Sequence, residues 1–389
     1  MKYSTSLFAQ LLQLLPKSDF VRLVRETQAE RHSKGFASWD QCVAMLFCQL
    51  AQATSLREIS DGLRTTCGKL NHLGVSAAPA KSTLAYANAH RPAALFEGLF
   101  YAFLARCQAV KPGKAKRFRF NNPLFSLDGT VLDLCLSLFP WAEFRQTKGA
   151  VKLHLLLDHA GYFPAFAAIG PQKTLSEIAV AKTLDLPKGS IIAIDRGYCS
   201  YALYYQWDQA GLYFVTRQKD NAAYRVVATR PVPSRGGIRA DEIIELTSVP
   251  GQRDCPIRLR RVVKWDEAQQ REFVFLTNHL TFGATTIAAI YQDRWQIECF
   301  FKTLKRHLRI KTFVGTSENA LKLQIWTALL AILLIKYLQF LTKCPLPLCR
   351  LIALLHWNLF TYRHLYDWLK DPFATPPEQP PAPQMALAF

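Results

Sequence analysis

Residues 291–305 read Tyr-Gln-Asp-Arg-Trp-Gln-Ile-Glu-Cys-Phe-Phe-Lys-Thr-Leu-Lys, a stretch whose polar members recur at helical spacing between apolar residues. At about 100° per residue, five of them fall within an arc of roughly 80°: Tyr291, Arg294, Glu298, Lys302 and Lys305. The spacing predicts a helix whose polar face presents one carboxylate among cations and a phenol. Such a face suits a metal ion and a phosphate together, because a carboxylate binds the metal while Arg and Lys neutralise phosphate oxygens. A solvated face with an Arg294–Glu298 ion pair is the other interpretation.

Two apolar runs upstream each carry an aspartate, as buried strands of an α/β core do. Phe125-Ser-Leu-Asp128-Gly-Thr130 opens a β-like segment, and Ser190-Ile-Ile-Ala-Ile-Asp195-Arg-Gly ends one. Glycine follows each aspartate closely, which favours a bend or the close approach of a ligand. With Glu298, these residues give the three carboxylates that a two-metal phosphoryl-transfer site needs.

Together these motifs resemble those of the DDE transposases of bacterial insertion sequences, and within them the insertion-sequence-4 group. The third motif of that group is Tyr-x2-Arg-x3-Glu-x6-Lys, which four residues match at every spacing: Tyr291, Arg294, Glu298 and Lys305. Asp128-Gly-Thr and Asp195-Arg-Gly-Tyr are similar to the other two signatures. The long interval before Glu298 fits members of the group that carry a β-rich insertion ahead of the catalytic Glu.

The resemblance implies that Asp128, Asp195 and Glu298 are the catalytic residues and the ligands of two Mg²⁺ ions per active site, with Mn²⁺ able to substitute. It implies cut-and-paste transposition: hydrolysis frees a 3′-hydroxyl at each element end, and that hydroxyl attacks target DNA. The residues expected to contact DNA are Arg196, Tyr291, Arg294, Lys302 and Lys305. The implied partners are double-stranded DNA, as terminal inverted repeats and as target, and a second copy of the chain in the DNA complex.

Two other functions stay open. One is an endonuclease of the same ribonuclease H-like class that cuts without joining, and the other is a catalytically silent DNA-binding repressor. The intact spacing of all three acidic motifs argues against the silent form.

Composition agrees with a nucleic-acid partner. The chain of 389 residues has 48 Lys+Arg against 29 Asp+Glu, a net charge of +19, which favours a polyanion. A membrane surface or a ribosomal contact would explain the charge equally well. The apolar run Ile325–Ile335 is too short to span a bilayer, so we expect a buried core helix and no membrane association. Ten cysteines without a CxxC pair, and no secretory signal, indicate a reducing cytosol. The resemblance implies that this is the bacterial cytosol, with association with the nucleoid.

The predicted class is α/β: a ribonuclease H-like core with a β-rich insertion, preceded by an all-helical domain. The predicted parts are a helical DNA-binding domain (1–117), the first part of the core (118–217), the β-rich insertion (218–282), the second part of the core with the Glu helix (283–340), C-terminal helices (341–371) and a disordered Pro-rich tail (372–389).

Within the predicted helical domain, Ser55 and Glu58 form a capping-box pattern ahead of a helix from Leu56 to Arg64. A second helix is predicted from Lys81 to Arg91. The pair is compatible with a helix-turn-helix reader of DNA, as well as with an ordinary helical pair. The candidate contacts are Lys81, Ser82, Thr83, Asn88, His90 and Arg91.

The middle of the chain predicts strands at 124–134, 151–157 and 162–169, in an antiparallel meander, and a strand that ends at Asp195. A crossover would place the first and fourth strands side by side and parallel. Asp128 and Asp195 would then be neighbours, with the helix that carries Glu298 over them.

Other charged residues compete for these roles. Asp133 lies an odd number of positions from Asp128 and so points to the opposite face of its strand. Asp293 lies about 140° from Glu298 on the predicted helix and is expected to face solvent. A basic stretch at 111–119 and four residues of the insertion are further candidates for DNA contact: Arg258, Arg260, Arg261 and Lys264.

Overall fold

A computed structural model describes residues 5–374, apart from 32, 34, 67, 111–116, 146–147 and 309–312. Most of the predicted basic stretch at 111–119 lies outside the described residues, as does the Pro-rich tail from residue 375. The described part is a mixed α/β structure with one large sheet, beside which helices from both ends of the chain pack together.

The N-terminal part is helical, as predicted. Its α-helices are α1 Leu7–Gln13, α2 Lys17–Glu26, α3 Ser38–Leu50, α4 Leu56–Arg64, α5 Lys81–His90 and α6 Ala94–Ala109. The Ser55 Oγ caps α4 by accepting from the Glu58 N–H at 3.2 Å. The Glu58 carboxylate reaches back to accept from the N–H of Thr54, the residue before the cap, at 2.7 Å.

The described strands form one ten-stranded sheet in the order β2-β3-β1-β5-β6-β10-β9-β8-β7, and β4 also pairs with β3. The strands are β1 Leu124–Leu134, β2 Glu143–Arg145, β3 Lys148–Asp158, β4 Phe163–Pro171, β5 Ile191–Ile194, β6 Tyr213–Arg217, β7 Tyr224–Thr229, β8 Ile238–Leu246, β9 Leu259–Asp266 and β10 Arg271–Thr277. Three helices lie between strands: α7 Glu177–Lys182, α8 Tyr201–Gln209 and α9 Val249–Asp254.

Strand pairing at the centre of the sheet follows the predicted order. β1 is antiparallel to β3, and β3 to β4, while β1 and β5 are parallel neighbours. β6 is parallel to β5 and antiparallel to β10. The strands of segment 218–282 therefore continue the same sheet through β10 instead of forming a separate one.

The motif stretch forms two helical segments where the sequence predicts one: α10 Ala284–Asp293 and α11 Trp295–His307. Arg294 lies at their junction with right-handed helical angles (φ −52°, ψ −28°). α10 packs on the sheet against β5, β6, β8, β9 and β10, whereas α11 packs against β1. The junction consequently lies between the two halves of the sheet.

The C-terminal helices are α12 Glu318–Thr342, α13 Leu348–Asn358 and α14 Leu365–Lys370. α12 is long and apolar enough to cross a membrane, but 78% of its apolar window is buried, as in the predicted core helix. It packs against α3, α5 and α6, so the two ends of the chain share one core. The N–H groups of Leu7 and Phe8 donate to the carbonyls of Thr361 and Leu359 at 3.0 and 2.8 Å.

Candidate active site

The two predicted aspartates lie at the same level on neighbouring parallel strands. Leu127 of β1 is in register with Ile194, the last residue of β5, so Asp128 and Asp195 each occupy the next position along. Residues level with each other on parallel strands point to the same face of the sheet. The sheet therefore presents both carboxylates at one place.

Arg294 joins the third carboxylate to the first. Its Nη1 donates to Asp128 Oδ2 at 2.9 Å, and its Nη2 donates to Glu298 Oε1 at 2.7 Å. The Arg294 side chain is 10% exposed, and its Nε has no hydrogen-bond partner within the described residues. One guanidinium thus separates carboxylates that belong to β1 and to α11.

The three carboxylates act on one another electrostatically. The pKa of Asp128 is raised to about 6, chiefly by burial; Arg294 and the Gly129 N–H oppose the rise, and the charges of Asp195 and Glu298 add to it. Carboxylates that disfavour each other's ionisation form a site of excess negative charge. A cation bound beside them would offset this repulsion.

Gly129 lets the segments that carry Asp128 and Asp195 pack closely together. Its missing Cβ would lie 2.9 Å from His154 Nδ1 and 3.4 Å from the Tyr198 hydroxyl. These buried groups are hydrogen-bonded to each other at 2.7 Å, and burial lowers the pKa of His154. The ring Nε2 faces the Leu175 carbonyl at 3.4 Å, which can only accept, so Nδ1 of the neutral ring accepts from the hydroxyl of Tyr198, three residues after Asp195. A side chain at position 129 would push the two segments apart.

A cleft of about 600 Å³ opens beside the site, and Asp195, Glu298, Tyr291 and Arg294 line it. Asp266 lines it too, and four further cations do so: Arg117, Arg217, Lys264 and Arg271. Phe273 lies between two of these cations, with guanidinium carbons 4.9 Å (Arg217) and 4.5 Å (Arg271) from its ring centroid. The sequence prediction missed Arg217 and Arg271, whose only signal was their position at the ends of strands.

The remaining motif residues have individual partners. Lys305 Nζ donates to the carbonyl of Val131 on β1 at 2.9 Å, which ties α11 to the strand of Asp128. Lys302 is exposed and lies 4.4 Å from the ring centroid of Trp295. Arg196 pairs with Asp220 at 3.1 Å on the surface. The Tyr291 ring packs against Phe275, with centroids 5.1 Å apart.

Asp293 is not where the sequence predicts it. Its side chain is 1% exposed instead of facing solvent, and it accepts from Arg117, from His159 Nδ1 at 2.6 Å and from the Tyr162 hydroxyl at 3.3 Å. The helical-wheel argument failed because a turn between β3 and β4 covers the face that it left to solvent.

The insertion arginines also differ from the prediction. Arg260 is 1% exposed and donates twice to Asp241 at 2.7 Å, so it is a structural cation and is withdrawn as a candidate for DNA contact. Arg261 pairs with Glu242 at 2.7 Å and Arg258 with Glu245 at 3.1 Å. Lys264 alone of the four lines the cleft.

Two residues of the predicted recognition helix are structural as well. Asn88 is buried and accepts from Gln41 at 2.8 Å. Arg91 is buried and donates to the carbonyl of Ala37 at 2.9 Å. The exposed polar residues of α5 are Lys81, Ser82, Thr83 and His90, and the His90 ring stacks on Tyr86 with centroids 4.1 Å apart.

Known families match most of this chain. The family described as Transposase DDE domain matches residues 120–334, more than half of the chain, including both strand aspartates and Glu298. The chain belongs to this family, the DDE-domain transposases of insertion sequences. Residues 4–76 match a second family, described as a domain of unknown function, DUF4372.

Individual relatives carry the same name. A Sinorhizobium fredii protein named as a transposase, y4zB, is 30% identical over 321 residues, which span 80% of this chain and 87% of the relative. A Geobacillus stearothermophilus protein named as a transposase for insertion sequence element IS5377 is 28% identical over 258 residues, 62% of this chain and 65% of the relative.

Among solved structures, a piggyBac transposase in a synaptic complex with hairpin DNA aligns over 96% of this chain and 81% of that chain. The TM-score is 0.45 and the identity 12%. Similarity at this level assigns neither the fold nor any residue of this chain.

Proposed function

We propose that this transposase cuts the ends of its insertion sequence and joins them to target DNA by phosphodiester hydrolysis and transesterification. Asp128, Asp195 and Glu298 are the proposed catalytic residues. The observation that carries the proposal is the bridge made by Arg294, which holds carboxylates of β1 and α11 at the two ends of one guanidinium. Asp195 follows the strand next to β1 and lines the same cleft as Glu298.

A ribonuclease H-like core is the proposed scaffold. The order β4-β3-β1-β5-β6 supports it, because three antiparallel strands are followed by two parallel ones with helices between them. Membership of the insertion-sequence-4 group is proposed from the spacing of the third motif, which ends at Lys305.

The three carboxylates fit two Mg²⁺ ions, with Mn²⁺ able to substitute. Carboxylate oxygens are ligands that Mg²⁺ prefers. Burial, with a smaller contribution from Asp195 and Glu298, raises the pKa of Asp128, and a bound divalent cation would favour its ionised form. Within residues 5–374 as described, no three His, Cys, Asp or Glu side chains already converge as a ligand set. Arg294 stands between two of the three carboxylates, so we expect it to leave at least one of them when metal binds.

The chain's own residues have clear tasks in this chemistry. Freed from a carboxylate, Arg294 is placed to neutralise a phosphate oxygen, and Tyr291 can donate one hydrogen bond beside it. Two bound Mg²⁺ ions would activate the attacking oxygen and stabilise the leaving one. No covalent protein intermediate is needed, because the freed 3′-hydroxyl is the nucleophile of the joining step.

Double-stranded DNA is the proposed partner, both as terminal inverted repeats and as target. The net charge of +19 and the cations that line the cleft support it. The proposed contacts are Arg196, Tyr291, Arg294, Lys302 and Lys305 from the motifs, with Arg217, Lys264 and Arg271 from the cleft. Two ends must be held together, so a dimer on DNA is proposed.

Residues 1–117 are the proposed DNA-binding domain, with Lys81, Ser82 and Thr83 of α5 as its exposed candidates. The other proposed divisions are the two parts of the core (118–217 and 283–340), the β-rich insertion (218–282), the C-terminal helices (341–371) and the Pro-rich tail (372–389). The bacterial cytosol, in contact with the nucleoid, is the proposed location.

A strand-transfer assay tests the proposal. Uncut and pre-cut element ends are incubated with target DNA and Mg²⁺, and both cleavage and joining are measured. Asp128→Asn should abolish both reactions while DNA binding in EDTA persists. Asp133→Asn is the matched control, since Asp133 is exposed on the same strand and points to the opposite face.

Each of the other outcomes would indicate a different function or a different role for Asp128. Cleavage without joining of a pre-cut end would show a nuclease. DNA binding without cleavage by the wild-type chain would show a silent repressor. Full activity of Asp128→Asn would exclude Asp128 as a metal ligand.

A further inference from the structure

Asp293 is a buried carboxylate outside the Tyr-Arg-Glu-Lys pattern, at the last position of α10 and immediately before Arg294. Burial of an ionised carboxylate costs several kcal/mol unless partners compensate it. Asp293 has three: Arg117, the Nδ1 of His159 at 2.6 Å and the hydroxyl of Tyr162 at 3.3 Å. A helix end held this firmly has restricted freedom to tilt.

His159 extends the contact to the catalytic strand. It follows β3, and its N–H donates to the Leu124 carbonyl of β1 at 3.0 Å. Its ring Nε2 lies 2.7 Å from Ser126 Oγ. Ser126 precedes Asp128 by two residues and so shares its face of β1. The hydrogen-bonded series Asp293–His159–Ser126 therefore connects the residue before Arg294 to the strand of Asp128.

A Ser-His-Asp arrangement also occurs in hydrolases, where the serine attacks the substrate. That role does not fit here, because Ser126 is fully buried and its Oγ cannot meet a substrate. The three residues are better placed to hold structure than to react.

The geometry that they hold is the one on which the proposed chemistry depends. α10 packs on the β5–β10 half of the sheet and α11 on β1, so a tilt at their junction changes the distance between Glu298 and Asp128. A displacement of about 1 Å from productive geometry can cost about 10²-fold in rate. The ion pairs of Arg294 resist such a tilt only while Arg294 remains on both carboxylates.

We propose that Asp293, His159 and Ser126 are positioning residues that fix the α10–α11 junction against β1, so that Glu298 stays in register with Asp128 when Arg294 is drawn away. This inference rests on the proposed function and adds to it residues that the acidic motifs do not contain. Partners of ligand-bearing groups commonly contribute about 10- to 100-fold to metal affinity or activity.

The test uses the full-length chain with Asp293→Asn and Ser126→Ala, and Asp241→Asn as a matched control. Asp241 is also a buried aspartate bonded by an arginine, but it lies in the insertion. Three quantities are measured: Mn²⁺ affinity by electron paramagnetic resonance without DNA, single-turnover cleavage at saturating DNA, and DNA affinity in EDTA. Circular dichroism gives the folded fraction of each variant.

We expect Asp293→Asn to lower Mn²⁺ affinity and cleavage rate about 10- to 100-fold, with DNA affinity within about threefold of wild type. Ser126→Ala removes a single hydroxyl and should lower both by at least about threefold. In the double variant, Ser126→Ala should add little, because residues of one network are not additive. Asp241→Asn should leave Mn²⁺ affinity unchanged at equal folded fraction.

Wild-type Mn²⁺ affinity in folded Asp293→Asn overturns the inference. If that variant does not fold, wild-type values for Ser126→Ala overturn it instead. Asp128→Asn separates this failure from that of the proposed function: if it too binds Mn²⁺ like wild type, the metal assignment is wrong, whereas if it alone loses Mn²⁺, only the positioning role is wrong.

Discussion

Arg260 in β9 and Arg294 at the α10–α11 junction are both buried cations bonded to aspartate, but their charge balance differs. Arg260 meets Asp241 through two bonds of 2.7 Å and gives its remaining donor to the carbonyls of His279 and Phe282. Arg294 divides its two Nη groups between Asp128 and Glu298.

This difference distinguishes an ion pair that stabilises the fold from one that is suited to give way to a metal ion. In the insertion, the Asp241 carboxylate has a bidentate partner in Arg260 and a second cation, Arg230, at 3.7 Å, so its charge is fully compensated. In the cleft, one cation serves two carboxylates with Asp195 close by, and its Nε has no partner in the described part of the chain. Two carboxylates that share one guanidinium, with a third beside them, are suited to recruit a divalent cation. The following predictions test this contrast.

The largest expected effect is on catalysis. Asp195→Asn should lower Mg²⁺-dependent cleavage by about 10³-fold or more, because catalytic groups that act as a unit fail together. Single-turnover cleavage of a labelled element end measures it. Asp266→Asn is the control, since Asp266 lines the same cleft but accepts from the backbone N–H of Gln269 at 2.9 Å. Equal losses in both variants would mean that cleft charge, and not metal ligation, is what Asp195 supplies.

The second prediction concerns stability. Arg260→Gln removes both short bonds to the buried Asp241 carboxylate and leaves it only Arg230, at 3.7 Å, so it should cost up to about 3–5 kcal/mol of unfolding free energy. Arg294→Gln leaves Asp128 and Glu298 unpaired, but Mg²⁺ can replace the lost cation. Urea denaturation with and without Mg²⁺ measures both. Mg²⁺ should stabilise Arg294→Gln more than wild type, because no guanidinium has to be displaced, and should stabilise Arg260→Gln no more than wild type. Equal increments in all three proteins would contradict the contrast.

The third prediction concerns DNA binding by the cleft cations. Arg217→Gln and Arg271→Gln should each reduce the slope of log affinity against log salt by about 0.9, the value for one lost phosphate contact on B-form DNA. Fluorescence anisotropy at several salt concentrations, in EDTA, measures the slope. Arg258→Gln is the control because its guanidinium already pairs with Glu245 at 3.1 Å. A slope unchanged in the two cleft variants would place the DNA elsewhere.

The smallest effect is a pH dependence in the metal-free protein. Burial, above all, raises the pKa of Asp128 to about 6 from an ordinary 3.8, so the folded state binds a proton that the unfolded state has released. The ionised group therefore lowers stability above about pH 6, and this loss is recovered as pH falls from 6 to 4. Wild type should gain stability relative to Asp128→Asn over that range, as measured by urea denaturation in EDTA. A difference that stays constant with pH would refute the shift.

Sequence reasoning located the elements whose signals are local. The apolar run of β1 and the Ser55 cap of α4 gave bounds that match the structure at both ends, Leu124–Leu134 and Leu56–Arg64. The parallel pairing of β1 with β5 followed from chain connectivity. The three proposed catalytic carboxylates were identified from motif spacing, and the structure places Asp128 and Glu298 on one arginine.

What sequence reasoning missed depends on contacts between distant segments. Asp293 and His159 are far apart along the chain, and a helical wheel contains no information about such a partner. Arg260 looked like a surface cation because nothing nearby in sequence revealed Asp241. Arg217 and Arg271 come from different strands and meet only around Phe273. In each case, tertiary packing decides whether a charged side chain is buried in an ion pair or exposed at the cleft.

α1 packs on the turn after α13, and α3, α5 and α6 pack on α12. These contacts affect how the chain folds while the ribosome makes it. The first helices pack partly on one another, but their faces that contact α12 stay uncovered until Glu318–Thr342 has been made, so the nascent chain exposes apolar surface through most of translation. A message with a premature stop codon ahead of Glu318 leaves that surface permanently bare. Such a fragment would aggregate or be degraded instead of persisting as a shortened DNA-binding antagonist of the full transposase.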